Sequence, residues 1–447
     1  MKKQGLPVKV LAAILAAGMV IGDVPPAYAA QESDDAAVEI VMDTESEEIE
    51  TETANVEVTE RTEPESSSES ETEFKTKAAK DVSGLAIKYE SGKMMINWDA
   101  AEGVASYDVY RAKSRYSKYT KIAEVSAASY TDLKPDDDKY ENYYKVVPKG
   151  EKTDGAAAVS LETEMFGENM YVFSPEDDMK QVYDTINNVY LIQGGVDGGV
   201  ASNREQFGSG RYAFAFKTGD YSNMEKGYFD MSYYMQFLGL GKTPYDVTIK
   251  NVHVPATLPD NNVTCNFWMD IENLSISAMT AEEEAAAKDD AQEYDFKWAV
   301  SQAAPARRLY VQRPTRLNSY WDGWASGGYI SDSLFTSEVG SWSQQQYYIR
   351  NSKMEDFYGV NWNFVAQGCT IGQGQNMTNT INGVTAAGNT KAQPAHPFYD
   401  LKGTQGQSNW ANGGYYTFLD KTDVIKEKPF LYFDEDVKEY KVFVPGL

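Results

Sequence analysis

The sequence predicts an all-β chain, a parallel β-helix preceded by a small β-sandwich. Three observations carry this. Residues 165–447 hold a ladder of short runs with one shared texture, residues 81–162 hold short alternating strands broken by turns, and the residues before them hold neither pattern.

Residues 1–29 read as a signal peptide. Lys2, Lys3 and Lys9 make a basic start, Val10 to Ile21 are apolar, and Ala27-Tyr28-Ala29 offers the small-x-small cleavage pattern. The apolar run is shorter than the roughly 20 residues that cross a bilayer, and no later stretch is apolar for long enough to be a membrane span. The expectation is a secreted, extracellular protein.

Residues 30–80 form an acidic linker. Between 31 and 80 there are 17 Asp or Glu against 4 Lys or Arg, about half of the net charge of −26. Such a segment buries too little apolar surface to offset its ordering entropy, so it stays solvated. The acidity that remains elsewhere speaks against nucleic acid as a partner, which calls for a basic stripe. Two cysteines are too few for a disulfide framework, and His253 and His396, the 2 histidines, stand near no Cys pair. No dense Asp cluster recurs along the ladder to hold calcium. No metal and no cofactor are expected, and no G-x-S-x-G elbow occurs. The chemistry falls to carboxylates and neutral polar groups.

In residues 81–162, Met94 to Trp98 and Tyr107 to Arg111 alternate around an Asp99–Ser106 turn, and Tyr143 to Val147 follow the turn-rich Leu133 to Asp136. Strands at this spacing make a sandwich. With Trp98 as core Trp, Tyr110 on the next strand, and Leu133 and Pro135 before a tyrosine-corner strand, the stretch resembles a fibronectin type III module. Either Tyr143 or Tyr144 fills the corner. The resemblance implies a spacer.

In residues 165–447 the runs around Asn273, Arg308, Asp332, Asn351 and Gln367 align as equivalents, with steps of 35, 24, 19 and 16 residues. Each run has one apolar side that it cannot bury alone, and stacked solenoid turns bury it. The first step is long because Thr280 to Tyr294, rich in Ala and Glu, forms a helical excursion. Before each run lies a polar segment: Asn266-Phe267-Trp268, Ser301-Gln302, Ser326-Gly327, Gln344-Gln345-Gln346 and Asn361-Trp362-Asn363. Rungs stack about 4.8 Å apart, so these form a ladder of amides and hydroxyls bordered by Trp298, Trp324 and Trp362. Ser301, Gln302, Trp324, Ser326, Gln345, Gln346 and Trp362 are the candidate substrate-binding residues, since amides beside aromatic faces suit sugar rings. The same ladder serves stability. With Cys265 and Cys369 four rungs apart, roughly 19 Å along the axis, no disulfide can join them. Residues 373–426 form a long loop whose Trp410 and Tyr415 could wall a groove, and Glu427–Phe433 with Tyr440–Pro445 form a hairpin.

The phrase Tyr212-Ala-Phe-Ala-Phe-Lys-Thr-Gly-Asp-Tyr221 resembles the opening strand of pectin-lyase-like, right-handed parallel β-helices, with Thr218 where Pro is usual; Leu238-Gly-Leu-Gly241 and Asp246-Val-Thr-Ile249 match the next turn. Trp298 to Pro305, Gly323 to Tyr329 and Ser343 to Gln346 resemble secreted bacterial tandem β-helix proteins often labelled adenylyl cyclase, a label no nucleotide-binding signature here supports. By architecture these are similar to glycoside hydrolase family 55 β-1,3-glucanases. That resemblance implies an inverting hydrolase acting on a polysaccharide between two β-helices. Gln and Ser residues of the first place the water, and the acid comes from the second. The sequence in hand holds one β-helix. The expectations are a second β-helix domain beyond Leu447 and little glucanase activity without it. The carboxylates that could compensate are Asp270, Asp322, Asp332 and Glu338; Asp322, flanked by Trp321 and Trp324, and Asp332 are the catalytic candidates. Arg307, Arg308 and Arg350 would suit an acidic sugar. Glycan binding without cleavage and a polysaccharide lyase are the alternatives.

Overall fold

A computed structural model describes residues 82–197, 200–201, 204–287, 291–319, 323–341, 344–358, 363–367, 369–371, 375–376, 416–419 and 428–444. The expectations placed on residues 1–81, on Asp322 and Trp362, and on nearly all of the 373–426 loop lie outside these. The described residues are mostly strand, with few helices.

Residues 86–148 make two antiparallel sheets, one of Ala86–Glu90, Lys93–Asn97 and Ser129–Asp132, the other of Thr120–Val125, Tyr107–Ala112 and Tyr143–Pro148. Alternation dictates what faces inward: Met94, Ile96, Trp98, Tyr107, Val109, Tyr144 and Val146 are buried together. Trp98 and Tyr107 meet edge to face at 5.4 Å. Of the two tyrosines it is Tyr144 that turns inward, its hydroxyl donating to Asp132 Oδ2 at 3.0 Å inside the sandwich. Tyr143 turns the other way, to Glu162.

Beyond the short helix Leu161–Phe166 the chain coils into three parallel ladders. The first runs through Met170–Phe173, Tyr212–Phe216, Met235–Gly239, Asp270–Ile276, Pro305–Val311, Tyr329–Ser331, Gln346–Arg350, Asn363–Gln367 and Tyr416–Leu419. After a bend comes the second, from Gly219–Tyr221 to Thr370–Ile371, and then a third, from Phe229–Asp230 to Asp356–Tyr358. Inward positions stack by type along the axis: Phe214, Phe237, Ile271, Ala306, Ile330 and Ile349 on the first ladder, and Ile276, Val311, Phe335 and Met354 on the second. Each rung covers its neighbour's apolar side, and that burial is the main stabilising term.

The equivalence of Asn273, Arg308, Asp332 and Asn351 holds in the register. All four sit at the bend between the first and second ladders with left-handed backbone, φ 58, 52, 51 and 47°. The last rung is corrected by one residue: Gln367 pairs with Arg350, not with Asn351. The helical excursion is present as Ala281–Ala286, capped by Thr280, and Ala291–Tyr294, and the hairpin as Phe430–Asp434 against Glu439–Phe443. Not foreseen was the helix Met179–Ile192, whose Val182, Ile186, Val189 and Tyr190 bury against the core of the first turns.

The sandwich is tied to the coil more closely than a spacer is. Glu162 is buried and receives the hydroxyls of Tyr143 and Tyr440 and, at 2.9 Å, Lys217 Nζ. Lys139 Nζ reaches Glu439 at 2.5 Å, and Tyr140 packs on Phe433 and Tyr440. Both thiols are free, Cys369 buried and Cys265 half-buried. Among the described residues no helix is long and apolar enough to cross a membrane.

Candidate functional site

On the first ladder, inward Phe237 and Ile271 alternate with outward Gln236, Leu238, Asp270 and Glu272, because successive strand side chains point to opposite faces. Just before these strands the backbone turns left-handed again, at Tyr234 (φ 60°), Trp268 (φ 66°), Ala303 (φ 54°) and Gly327 (φ 106°). Counting along the register, Arg211, Tyr234, Trp268, Ala303, Gly327 and Gln346 form one column. Its first three side chains stack: the Arg211 guanidinium carbon lies 3.4 Å from the centre of the Tyr234 ring, which lies 6.1 Å from Trp268 at an interplanar angle of 14°. Then the stack stops. A methyl and a hydrogen occupy the next two positions, leaving Trp268 45% exposed. A groove of about 790 Å³ opens here, lined by Tyr212, Tyr234, Gln236, Trp268, Asp270, Ala303 and Pro305 among others.

Asp270 and Glu272 are buried, and Lys428 Nζ lies 3.4 Å from the first and 2.9 Å from the second. Burial, reinforced by the Glu272 charge, pushes the Asp270 carboxyl up to about 6 against the pull of Lys428 and Arg307. Its Oδ1 is buried without a hydrogen-bond partner among the described residues.

The structure brings some of the sequence candidates together at the far edge of this column. Gln302 and Gln346 are exposed. Gln346 Nε2 lies 3.4 Å from Ser326 Oγ, and the Gln302 side chain runs beside Gly327, whose missing Cβ would stand 3.6 Å from Gln302 Cγ. Ser326 is buried but reached through Gln346, and Trp324 is 37% exposed. Other candidates are corrected. Ser301 is fully buried; its hydroxyl donates to Val263 O at 2.9 Å and accepts from Ser326 N at 3.1 Å, so it holds rungs together rather than facing a sugar. Trp298 belongs to the core. The interior amide is Gln344, which donates to Val300 O and Leu317 O and accepts from Gly327 N, while Gln345 is only half-buried.

Asp332 stands apart. It lies at the other end of the Tyr329–Ser331 strand, five residues past Gly327, about 16 Å at the usual strand rise. There it faces Arg350 Nη2 at 3.5 Å. A carboxylate so placed does not share a sugar with Gln302 and Ser326. Arg350 is buried and bonds Tyr329 Oη at 2.6 Å; Arg308 covers the Phe430 ring at 4.0 Å and Arg307 the Tyr329 ring at 4.7 Å, so internal contacts engage all three arginines. Glu338 sits on the third ladder, away from the groove.

No family model matches the chain. One relative does: 281 residues, 63% of this chain, are 37% identical to an exo-β-1,3-glucanase of Streptomyces sp. (strain SirexAA-E / ActE). This chain resembles a glucanase. It spans about a third of that relative's length, 36%. Two solved structures of sacteLam55A from Streptomyces sp. SirexAA-E, one of a variant in complex with glucose, are 34% identical over 63% of this chain and 40% of theirs, with TM-scores of 0.45 and 0.44. Sequence reasoning missed Arg211, Tyr234 and Gln236, and it placed Trp268 in the polar ladder without counting it among the substrate-binding residues. The usable signal is faint: Tyr234-Met235 and Trp268-Met269 each put an aromatic ring just before an equivalent strand.

Proposed function

We propose that the chain is the glucan-facing part of a secreted, inverting glycoside-hydrolase-like protein acting on β-1,3-glucan. In this reading the coil is a right-handed, pectin-lyase-like β-helix and the sandwich a fibronectin type III module. Residues 1–29 are removed on export, and residues 30–80 are the acidic linker. The observation that carries the reading is the meeting of Gln302, Ser326 and Gln346 beside an aromatic-walled groove, in a chain 37% identical over 281 residues to an exo-β-1,3-glucanase.

Inversion places a water on the sugar face opposite the acid. A neutral amide and a hydroxyl suit that task, because they orient the water without holding a charge that competes for the sugar's hydroxyls. Gln302 and Ser326 are assigned this role, with the acid supplied from outside the described groove. Laminarin affinity tests it. Gln302→Ala and Gln346→Ala weaken binding about tenfold, roughly one charge-free hydrogen bond each, with an unchanged melting temperature; unchanged binding with a lowered melting temperature would make these amides structural only. Binding without cleavage is the second reading, favoured by the placement of Asp332 at the far end of its strand. Under it, laminarin is bound and no reducing sugar is released.

A further inference from the structure

We infer that the break in the Arg211–Tyr234–Trp268 stack is a seat for one glucopyranose ring, laid flat on the outward face of Trp268 above Ala303 and Gly327. This rests on the reading that the groove takes a glycan.

The column sets the geometry. Rungs repeat about every 4.8 Å, so Trp268 and Gln346, three rungs apart in the register, are about 14 Å apart with only a methyl and a hydrogen between them. A ring in contact with the indole at about 4 Å lies level with Ala303 and fills what a third aromatic residue would fill. The open end then presents Gln346 and Gln302 to its edge. Tyr234 and Arg211 stack behind Trp268 and cover the other face of its indole, so the open face is the one turned toward Ala303.

A second observation points to a ligand at the same place. Asp270 is 6% exposed, lines this groove, and keeps Oδ1 without a partner among the described residues, an acceptor suited to a sugar hydroxyl or to a water that a sugar orders. Flat stacking selects the sugar. An all-equatorial pyranose shows the indole C–H bonds on either face, whereas mannose carries an axial hydroxyl on one face and can stack only through the other.

Two opposite substitutions test the seat. Trp268→Ala removes its floor. Ala303→Tyr extends the stack into it at a backbone angle where Tyr234 and Trp268 already carry rings. Calorimetric titration of the full chain with laminaritriose should show each variant at least tenfold weaker, with circular dichroism unchanged, and Tyr245→Ala, on an exposed ring elsewhere, within twofold of the parent. If the parent binds laminaritriose and both variants bind within twofold of it, the seat is refuted and the glucan reading stands. Should the parent bind cellotriose but not laminaritriose, with both variants losing that binding, the seat stands and the β-1,3 assignment fails. Tighter binding of mannotriose than of either glucose trimer overturns the flat-stacking argument, and a parent that binds none of the three overturns both.

Discussion

Asn273 illustrates what single residues do at the rungs. Its left-handed backbone turns the strand, and its amide donates to Gly239 O and Gly241 O at 2.9 and 2.7 Å, satisfying two carbonyls of the preceding turn. Gly239 has no alternative side chain, since a Cβ there would stand 1.8 Å from Asn273 O. Asp270 is the residue whose protonation matters. Its carboxyl titrates near 6 when folded, against about 3.9 in an unfolded chain. Between those values the folded chain keeps a proton that the unfolded chain has lost. Stability from this group is therefore full below about pH 4 and falls as pH rises through about 6. Asp270→Asn removes that loss. Urea unfolding at pH 4 and pH 7 should show the variant gaining on the parent by on the order of 2–3 kcal/mol between the two. An equal difference at both pH values would mean that Asp270 ionises normally.

At the scale of elements, the polar ladder divides into an inner and an outer column. Gln344 joins Val300, Leu317 and Gly327 through one buried amide, and Gln346, two residues on, is exposed. Gln344→Ala leaves buried carbonyls and an N–H unpaired at about 1–3 kcal/mol each, so its denaturation midpoint should drop sharply. Gln346→Ala should stay within about 0.5 kcal/mol. Equal losses would mean the two columns are not distinct. The repeat, its bend residues and the helical excursion were legible because they rest on spacing and on apolar texture, which sequence displays directly. Gln302 and Ser326 were legible as polar residues at equivalent places, while Gln346 stands one position along, in register with Gly327. What sequence could not display is the direction of each side chain: Ser301 and Gln302 are neighbours, yet one is a rung tie and the other faces solvent. The Trp268 column was hidden for the same reason, because its alignment depends on left-handed turns at Tyr234 and Ala303, residue types that give no hint of such a backbone. The one-residue slip at Gln367 shows the limit of aligning on texture alone.

For the molecule as a whole, Glu162 gathers the sandwich, the short helix, the first turns and the final hairpin into one contact. Removing one side of a buried charge pair typically costs about 3–5 kcal/mol. Glu162→Ala should therefore split a single calorimetric unfolding peak into two, the sandwich melting apart from the coil; a single peak at an unchanged temperature would show that the junction contributes nothing. The hairpin packs Leu431 and Phe433 on Val172, Ala215 and Leu240, the outer face of the first turns. Lys139 and Glu439, which close this seam, lie 300 residues apart in sequence. That separation has a kinetic meaning. The coil can grow rung by rung through contacts between neighbouring turns, but the face of its first turns stays wet until residues 430–443 have left the ribosome and found it. Closing so long a loop is entropically slow. Synthesis must run past residue 443 before the earliest turns are sealed, and any pause beforehand leaves an apolar strip open to the wrong neighbour.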